Sequence, residues 1–345
     1  MKKVLSIIII IIAIFFLGPI IEKPGISGET PITNEQIDIV ILKNNIDNKE
    51  KNTPYIKPDN ESQIIFADSI PKKTEYCLLY LHGFSASPRE GYPVNIDFAK
   101  TYQMNAYFPR LYGHGLETSN NLVDMTPDNL INSAKEALRV ARQLGNKVIL
   151  MSTSTGGTLS LILASENPDI EALILYSPNI EMYDDMTKIL TYPWGLQIAK
   201  LINGEMVEYP DDPPLEKRFW QSSYNIQAVA YLQSLVENTM VNKTFEKVKQ
   251  PVFLGYYYLD EEHQDHTVKV SASINMFKNL GTPANLKRKI AFPNAGVHPL
   301  ASDIKSKDLV SVERETYTFA VDILGLKALS LKDAYDANPN LFHIE

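Results

Sequence analysis

From residue 63 onward the chain alternates short apolar runs with stretches whose apolar residues recur at helical spacing. No other feature of the sequence constrains the fold as strongly. The runs lie at 77–81, 105–108, 148–151, 172–176, 252–257 and 286–292. Most are apolar almost throughout rather than at every second residue, the pattern of strands covered on both faces. Before the third run, Thr126 caps a helix with Pro127 in its first turn. Leu130, Ala134, Ala137, Leu138, Ala141 and Leu144 share one face, and Gly145 ends it. A second helix begins near Thr155 and closes between Ser165 and Ile170. Val270, Ile274, Phe277 and Leu280 line a third, stopped at Gly281, and Leu309, Val312, Phe319 and Ile323 a last, stopped at Gly325. Doubly covered strands separated by helices predict an α/β fold, a mostly parallel central sheet with helices on both faces.

The 345 residues are enough for one large domain or two modest ones. Asp and Glu outnumber Lys and Arg by 41 to 33, a net charge of −8, and no basic stripe interrupts that balance. An acidic surface repels phosphate backbones, so nucleic acid is excluded as a partner. Cys77 is the sole cysteine, which rules out an internal disulfide and any cysteine-based metal site. Within its apolar run it reads as a buried, inert thiol.

Both ends differ from the body. Lys2 and Lys3 precede an uncharged apolar stretch over residues 4–21, long enough to cross a hydrocarbon core. No A-x-A-like site closes it; Gly18 has Phe16 two residues before it, and Gly25-x-Ser27 is distant. The expectation is a membrane anchor over residues 1–21 with the rest on the extracytoplasmic side. The alternative is a cleaved signal, which would leave the protein secreted or periplasmic. Residues 22–60, rich in Asn, Asp, Lys, Pro and Ile, read as a partly extended tether, although 37–42 could add an edge strand. The main domain is expected over 61–326, followed by a tail at 327–345. One segment breaks the strand–helix rhythm. Between 176 and 252 lie helical and aromatic patterns without a clear strand, including Tyr192, Trp194, Phe219, Trp220, Tyr224 and Tyr231. An insertion of this length, about 181–249, reads as a lid over a site, the other reading being scaffold packed to one side.

The stretch Val148-Ile-Leu-Met-Ser152-Thr153-Ser154-Thr155-Gly156-Gly157 runs an apolar strand directly into a helix. A serine at such a junction exposes its hydroxyl at the carboxyl end of the sheet. Its neighbours must be small because strand and helix approach closely, and Ser152, Gly156 and Gly157 are small. The bland reading is a Ser/Thr-rich turn capping the helix at Thr155. The stretch resembles the nucleophile elbow of the serine α/β-hydrolases, G-x-S-x-G, with Ser152 in place of the first glycine. Leu79-Tyr80-Leu81-His82-Gly83-Phe84, a buried strand ending in His-Gly-aromatic, is similar to the family's oxyanion turn, and the run from Pro109 to Gly115 to the loop after its next strand.

This resemblance, to the lid-bearing carboxylesterase and monoacylglycerol-lipase-like branch, covers roughly residues 63–326 and implies the rest of the site. Ser154 would be the nucleophile. The backbone N–H groups of Phe84 and Thr155 would hold the oxyanion. The family order Ser…Asp/Glu…His places the base at His298, after the strand at 286–292, while His343 lies in the tail and His114 reads as structural or pocket-rimming. The acid comes from Asp260, Glu261, Glu262 and Asp265. Counting forward from the strand favours Asp260, but counting back from the next helix, Asp265-His266-Thr267-Val268 fits the family pattern D-x-x-V, and Asp265 is the acid expected. The implied activity is hydrolysis of small esters of apolar acyl or aryl groups through an acyl-enzyme, with no cofactor and no metal. A catalytically silent binding module remains an alternative, as do a peptidase, lactonase or acyltransferase using the same residues.

Overall fold

The computed structural model describes residues 4, 6, 13–32 and 37–328. In chain order the strands are β1 (Gln63–Ile65), β2 (Thr74–Leu81), β3 (Asn105–Phe108), β4 (Gly145–Thr153), β5 (Ile170–Tyr176), β6 (Met206–Glu208), β7 (Ser223–Asn225), β8 (Val252–Tyr256) and β9 (Lys287–Ala291). Seven of them form one sheet in the order β1-β3-β2-β4-β5-β8-β9, parallel throughout except for β1, which runs antiparallel to β3 at the edge. The six apolar runs all fall in this sheet. β6 and β7 form a separate antiparallel pair inside the insertion, where no clear strand is expected from the residue pattern.

The helices are α1 (Ile39–Lys51), α2 (Val94–Thr101), α3 (Pro127–Leu144), α4 (Thr155–Glu166), α5 (Gly195–Asn203), α6 (Pro214–Phe219), α7 (Ile226–Thr239), α8 (Asn242–Phe245), α9 (Val270–Asn279) and α10 (Leu309–Asp322). Because successive strand residues point to opposite faces, each central strand feeds two cores. Leu79, Leu81, Leu150, Leu173 and Leu254 pack with residues of α3, α4 and α9. Leu78, Tyr80, Ile149, Ile174 and Phe253 pack with residues of α2 and α10 on the other side. Thr126 caps α3 as expected, its hydroxyl accepting from the Asn129 N–H at 3.1 Å. Gly145 both ends α3 and starts β4; a β-carbon there would sit 2.4 Å from the Cys77 nitrogen. Cys77 itself is fully buried, and burial pushes its thiol far above the usual range.

The N-terminal region differs from expectation. Residues 1–3, 5 and 7–12 of the anchor segment lie outside the described residues, and among the described residues no helix is long and apolar enough to cross a membrane. The described remainder of the apolar stretch lies instead against the insertion. The Trp194 indole donates to the Ile14 carbonyl at 2.9 Å, and the Trp194 N–H to the Pro19 carbonyl at 3.1 Å. Residues 22–32 follow the domain surface, with Gly25 and Ile26 N–H groups on Asp128 and the Thr30 N–H on Asn167. Where the sequence offered tether or edge strand, residues 39–51 form helix α1. Asp38 caps it by accepting from the Val40 and Ile41 N–H groups. Leu42 and Ile46 are buried, and Glu50 is buried against Arg110 at 2.8 Å. The tail from 329, with His343, lies outside the described residues.

Candidate active site

Ser154 is the single residue between the end of β4 and the start of α4. It has φ 55° and ψ −119°, a conformation that side-chain-bearing residues rarely adopt, at a cost of about 1–3 kcal/mol. The surroundings hold it there. Its N–H donates to the Tyr176 carbonyl at 3.1 Å, and its carbonyl accepts from Gly157 at 2.8 Å and Asn179 at 2.9 Å. The glycines do what the sequence suggested. A β-carbon on Gly156 would lie 1.9 Å from the Leu81 carbonyl oxygen, and one on Gly157 would lie 2.6 Å from Pro178 Cβ. Ser152 occupies the remaining small position, fully buried, its hydroxyl without a partner among the described residues.

His298 and Asp265 come together from the loops after β9 and β8. His298 Nδ1 lies 2.5 Å from Asp265 Oδ2, while Asp265 Oδ1 accepts from the Thr267 and Val268 N–H groups at 2.8 and 3.2 Å. Burial opposes charge on Asp265, but the His298 charge and these hydrogen bonds outweigh it and hold the carboxyl below its ordinary value. Burial likewise disfavours the imidazolium, yet Asp265 and a second carboxylate, Glu90, raise His298 above the ordinary histidine value against the opposing charge of Lys305. Asp260, the other candidate acid, is exposed and bonds His263 Nδ1 at 2.8 Å.

Ser154, His298 and Phe84 line one cavity of about 570 Å³. No hydrogen bond joins Ser154 to His298; the imidazole Nε2 is buried without a partner among the described residues. Asp265 and Thr155 lie behind the cavity wall, both buried. Thr155 is the first residue of α4, so its N–H has no acceptor within the helix. The insertion supplies the facing wall, with Met182, Trp220, Tyr224, Val229 and Leu232 among its residues. The Phe84 ring meets Tyr224 edge-on, centroids 4.9 Å apart.

The turn carrying Phe84 is fixed from both sides. His82 accepts the Leu111 N–H on Nε2 at 3.1 Å, so its Nδ1 carries the proton and donates to the Gly83 carbonyl at 2.9 Å. His114 packs edge-on against it and gives its Nδ1 proton to the Tyr112 carbonyl. It is buried and structural, and does not line the cavity. Burial drives both histidines below their ordinary value, His114 to about 4. Sequence reasoning missed Glu90, Asn179 and His266, which also line the cavity. Glu90 sits in Ser-Pro-Arg-Glu-Gly, where composition reads as an exposed turn.

The sheet order, the helices on both faces and the strained serine between β4 and α4 define the α/β-hydrolase fold. Solved structures of that fold match most of this chain. A structure from the metagenome-derived lipolytic enzymes LipS and LipT superposes with a TM-score of 0.61 at 16% identity, covering 76% of this chain and 98% of that one. The monoacylglycerol lipase of Paleococcus ferrophilus gives 0.54 at 15% identity, over 75% and 97%. Est1E of Butyrivibrio proteoclasticus, with ferulic acid bound, gives 0.51 at 16%, over 79% and 100%. In sequence the chain is similar to the thermostable monoacylglycerol lipase of Bacillus sp. (strain H-257), 30% identical over 97 residues, 28% of this chain and 38% of that protein. The chain thus spans under two-fifths of that relative's length. No protein-family model matches it.

Proposed function

We propose that the protein is a serine hydrolase that cleaves carboxylic esters bearing an apolar acyl or aryl group. The observation that carries the reading is the 2.5 Å contact of His298 Nδ1 with buried Asp265, which leaves Nε2 unpartnered on the cavity that Ser154 also lines. With Nδ1–H engaged by Asp265, Nε2 is the basic nitrogen, the tautomer that proton transfer from a serine requires. Ser154 attacks the ester carbonyl as His298 takes its proton. The N–H groups of Phe84 and Thr155 hold the oxyanion, and His298 returns the proton to the departing alcohol. Water then repeats the sequence on the acyl-enzyme. Lipolytic and esterase structures among the similar proteins support ester chemistry, and the apolar wall of the insertion supports an apolar acyl or aryl group. The insertion serves in this reading as the lid.

Labelling with a fluorophosphonate, together with turnover of aryl esters of increasing acyl length, tests the proposal. Adduct formation on Ser154, lost in Ser154→Ala, is the expected result. A folded protein that neither labels nor turns over any ester would leave the silent binding module. Extracytoplasmic placement is a separate proposal, supported by Lys2, Lys3 and the apolar stretch alone, and cell fractionation of the full chain decides it.

A further inference from the structure

Glu90 is almost completely buried, in the 3₁₀ turn (Pro88–Gly91) that follows the oxyanion loop. Its Oε2 accepts the Gly83 N–H at 2.6 Å and the Tyr80 hydroxyl at 3.3 Å, and Trp220 of the insertion lines the same cavity. Tyr80 in turn lies 3.0 Å from the Thr153 hydroxyl. With the Tyr80 proton on Glu90, Thr153 is the donor in that second bond. One buried chain of hydrogen bonds thus runs from the residue before the nucleophile to the residue before Phe84. The spacing is close. A methyl group built on Gly83 would meet Ser154 Cβ at 3.0 Å and Glu90 Oε1 at 3.1 Å.

We propose that Glu90 is a positioning residue of the acyl-transfer site, a buried carboxylate that clamps the oxyanion turn at Gly83 and faces His298 as a second negative charge beside Asp265. The inference rests on the hydrolase reading above. Its logic is a division of donors. Two adjacent N–H groups in the turn could reach an oxyanion, and Glu90 occupies the first. Only the Phe84 N–H is left for substrate, and the peptide carrying it is held in place before substrate arrives, as transition-state stabilisation requires. Burial raises the Glu90 carboxyl above its ordinary value, and the Gly83 and Tyr80 donors with the His298 charge oppose that rise. Its charge also adds to the field on His298. The groups facing that imidazole are Asp265 and Glu90, which favour the imidazolium, and Lys305, which opposes it. Lys305 is itself paired with Glu216 of α6, and Asp184, Asp212 and His266 line the same cavity.

Two substitutions separate these roles in the full-length protein. Glu90→Gln keeps the shape and can still accept from Gly83 but removes the charge. With a soluble aryl ester, kcat on the plateau should fall less than about tenfold, while the acid limb of kcat/KM moves to lower pH. Glu90→Ala removes the clamp as well. Its kcat should fall on the order of 10²-fold, the scale of losing one oxyanion donor, with KM changed far less. An unshifted acid limb in Glu90→Gln overturns the charge role, and an unchanged kcat in folded Glu90→Ala overturns the clamp. If Glu90→Ala does not fold, Tyr80→Phe, which deletes only the hydroxyl bridging Thr153 and Glu90, should lower kcat with KM unmoved; no loss there overturns the clamp equally. Ser154→Ala runs in parallel. Turnover surviving in Ser154→Ala sinks the hydrolase reading itself, whereas loss there with unaffected Glu90 variants sinks only this inference.

Discussion

Gly156 and Leu81 approach so closely that a β-carbon on the glycine would lie 1.9 Å from the leucine's carbonyl oxygen. Helix α4 therefore starts against the end of β2, and the obstacle is backbone, which cannot rotate away as a side chain can. Gly156→Ala must separate the two elements, with a cost of about 1–3 kcal/mol or more. The expected result is a lower melting temperature and a loss of ester turnover larger than the loss of folded protein, because the displaced elements carry Ser154 and His82. Thermal melting with parallel kinetics checks this.

Ser152 is the opposite case. It is fully buried and its hydroxyl has no partner among the described residues, so removing that hydroxyl releases an unsatisfied group. Ser152→Ala should leave stability unchanged or raise it by about 1 kcal/mol, with turnover retained. A marked loss in a denaturant titration would show that the hydroxyl is partnered after all.

Asp265→Asn and Asp260→Asn should diverge. An asparagine at 265 would favour the wrong imidazole tautomer, which in a comparable triad costs about 10⁴-fold in kcat. Asp260 is exposed and accepts from Glu262 and His263 of its own loop, and its loss should cost less than about tenfold because a solvated carboxylate acts weakly at a distance. Steady-state kinetics of the two variants decide the matter. A larger loss in the second would reverse the assignment.

The pH dependence of kcat/KM follows from His298. In the proposed reaction the base must be neutral to accept the Ser154 proton, and its neighbours raise it above the ordinary histidine value. Activity should therefore be full above the raised value and fall as pH drops through it, giving an acid limb above that of an ordinary histidine. A limb well below 6.5 in a pH–rate profile would contradict the environment described here.

Helix α1 should matter to stability. Glu50 and Arg110 are paired with side chains 6% and 9% exposed, and removing one partner of such a pair strands a buried charge at a cost of about 3–5 kcal/mol. Both Glu50→Ala and a truncation starting at Asn60 should melt well below the full chain. A truncation as stable as the full chain would show that α1 contributes nothing to the domain.

What the sequence disclosed, and what it did not, divides along a physical line. The central strands were legible because burial on both faces leaves uninterrupted apolar runs, and α3 because its cap, face and stop agree locally. Strand β1 has only three residues, Gln63 to Ile65, and owes its form to pairing with β3. Helix α1 opens with β-branched Ile39, Val40 and Ile41, which read locally as a strand. The Asp38 cap and burial of Leu42 and Ile46 decide otherwise. The elbow at Ser154 announced itself through its small neighbours. The preference for Asp265 over Asp260 had only the spacing to the next helix behind it, since the outcome turns on which carboxylate the loop folds back toward His298. Glu90 was silent for the same reason. A glutamate in a Pro-Arg-Glu-Gly turn carries no local sign that Gly83, Tyr80 and Trp220 will enclose it.

The locked imidazoles of His82 and His114 have a bearing on acid tolerance. Both are held neutral in the fold, below the ordinary histidine value. Between that value and the folded one, the unfolded chain takes up protons that the native protein refuses. Stability must then decline as pH falls, by up to about 1.4 kcal/mol per pH unit for each histidine. Mild acidification thus acts on two separate properties of one molecule. If His298 is the base as proposed, charging it silences turnover reversibly, while the sidelong pair behind the Phe84 turn erodes the fold, so prolonged exposure to acid should turn a recoverable pause into denaturation.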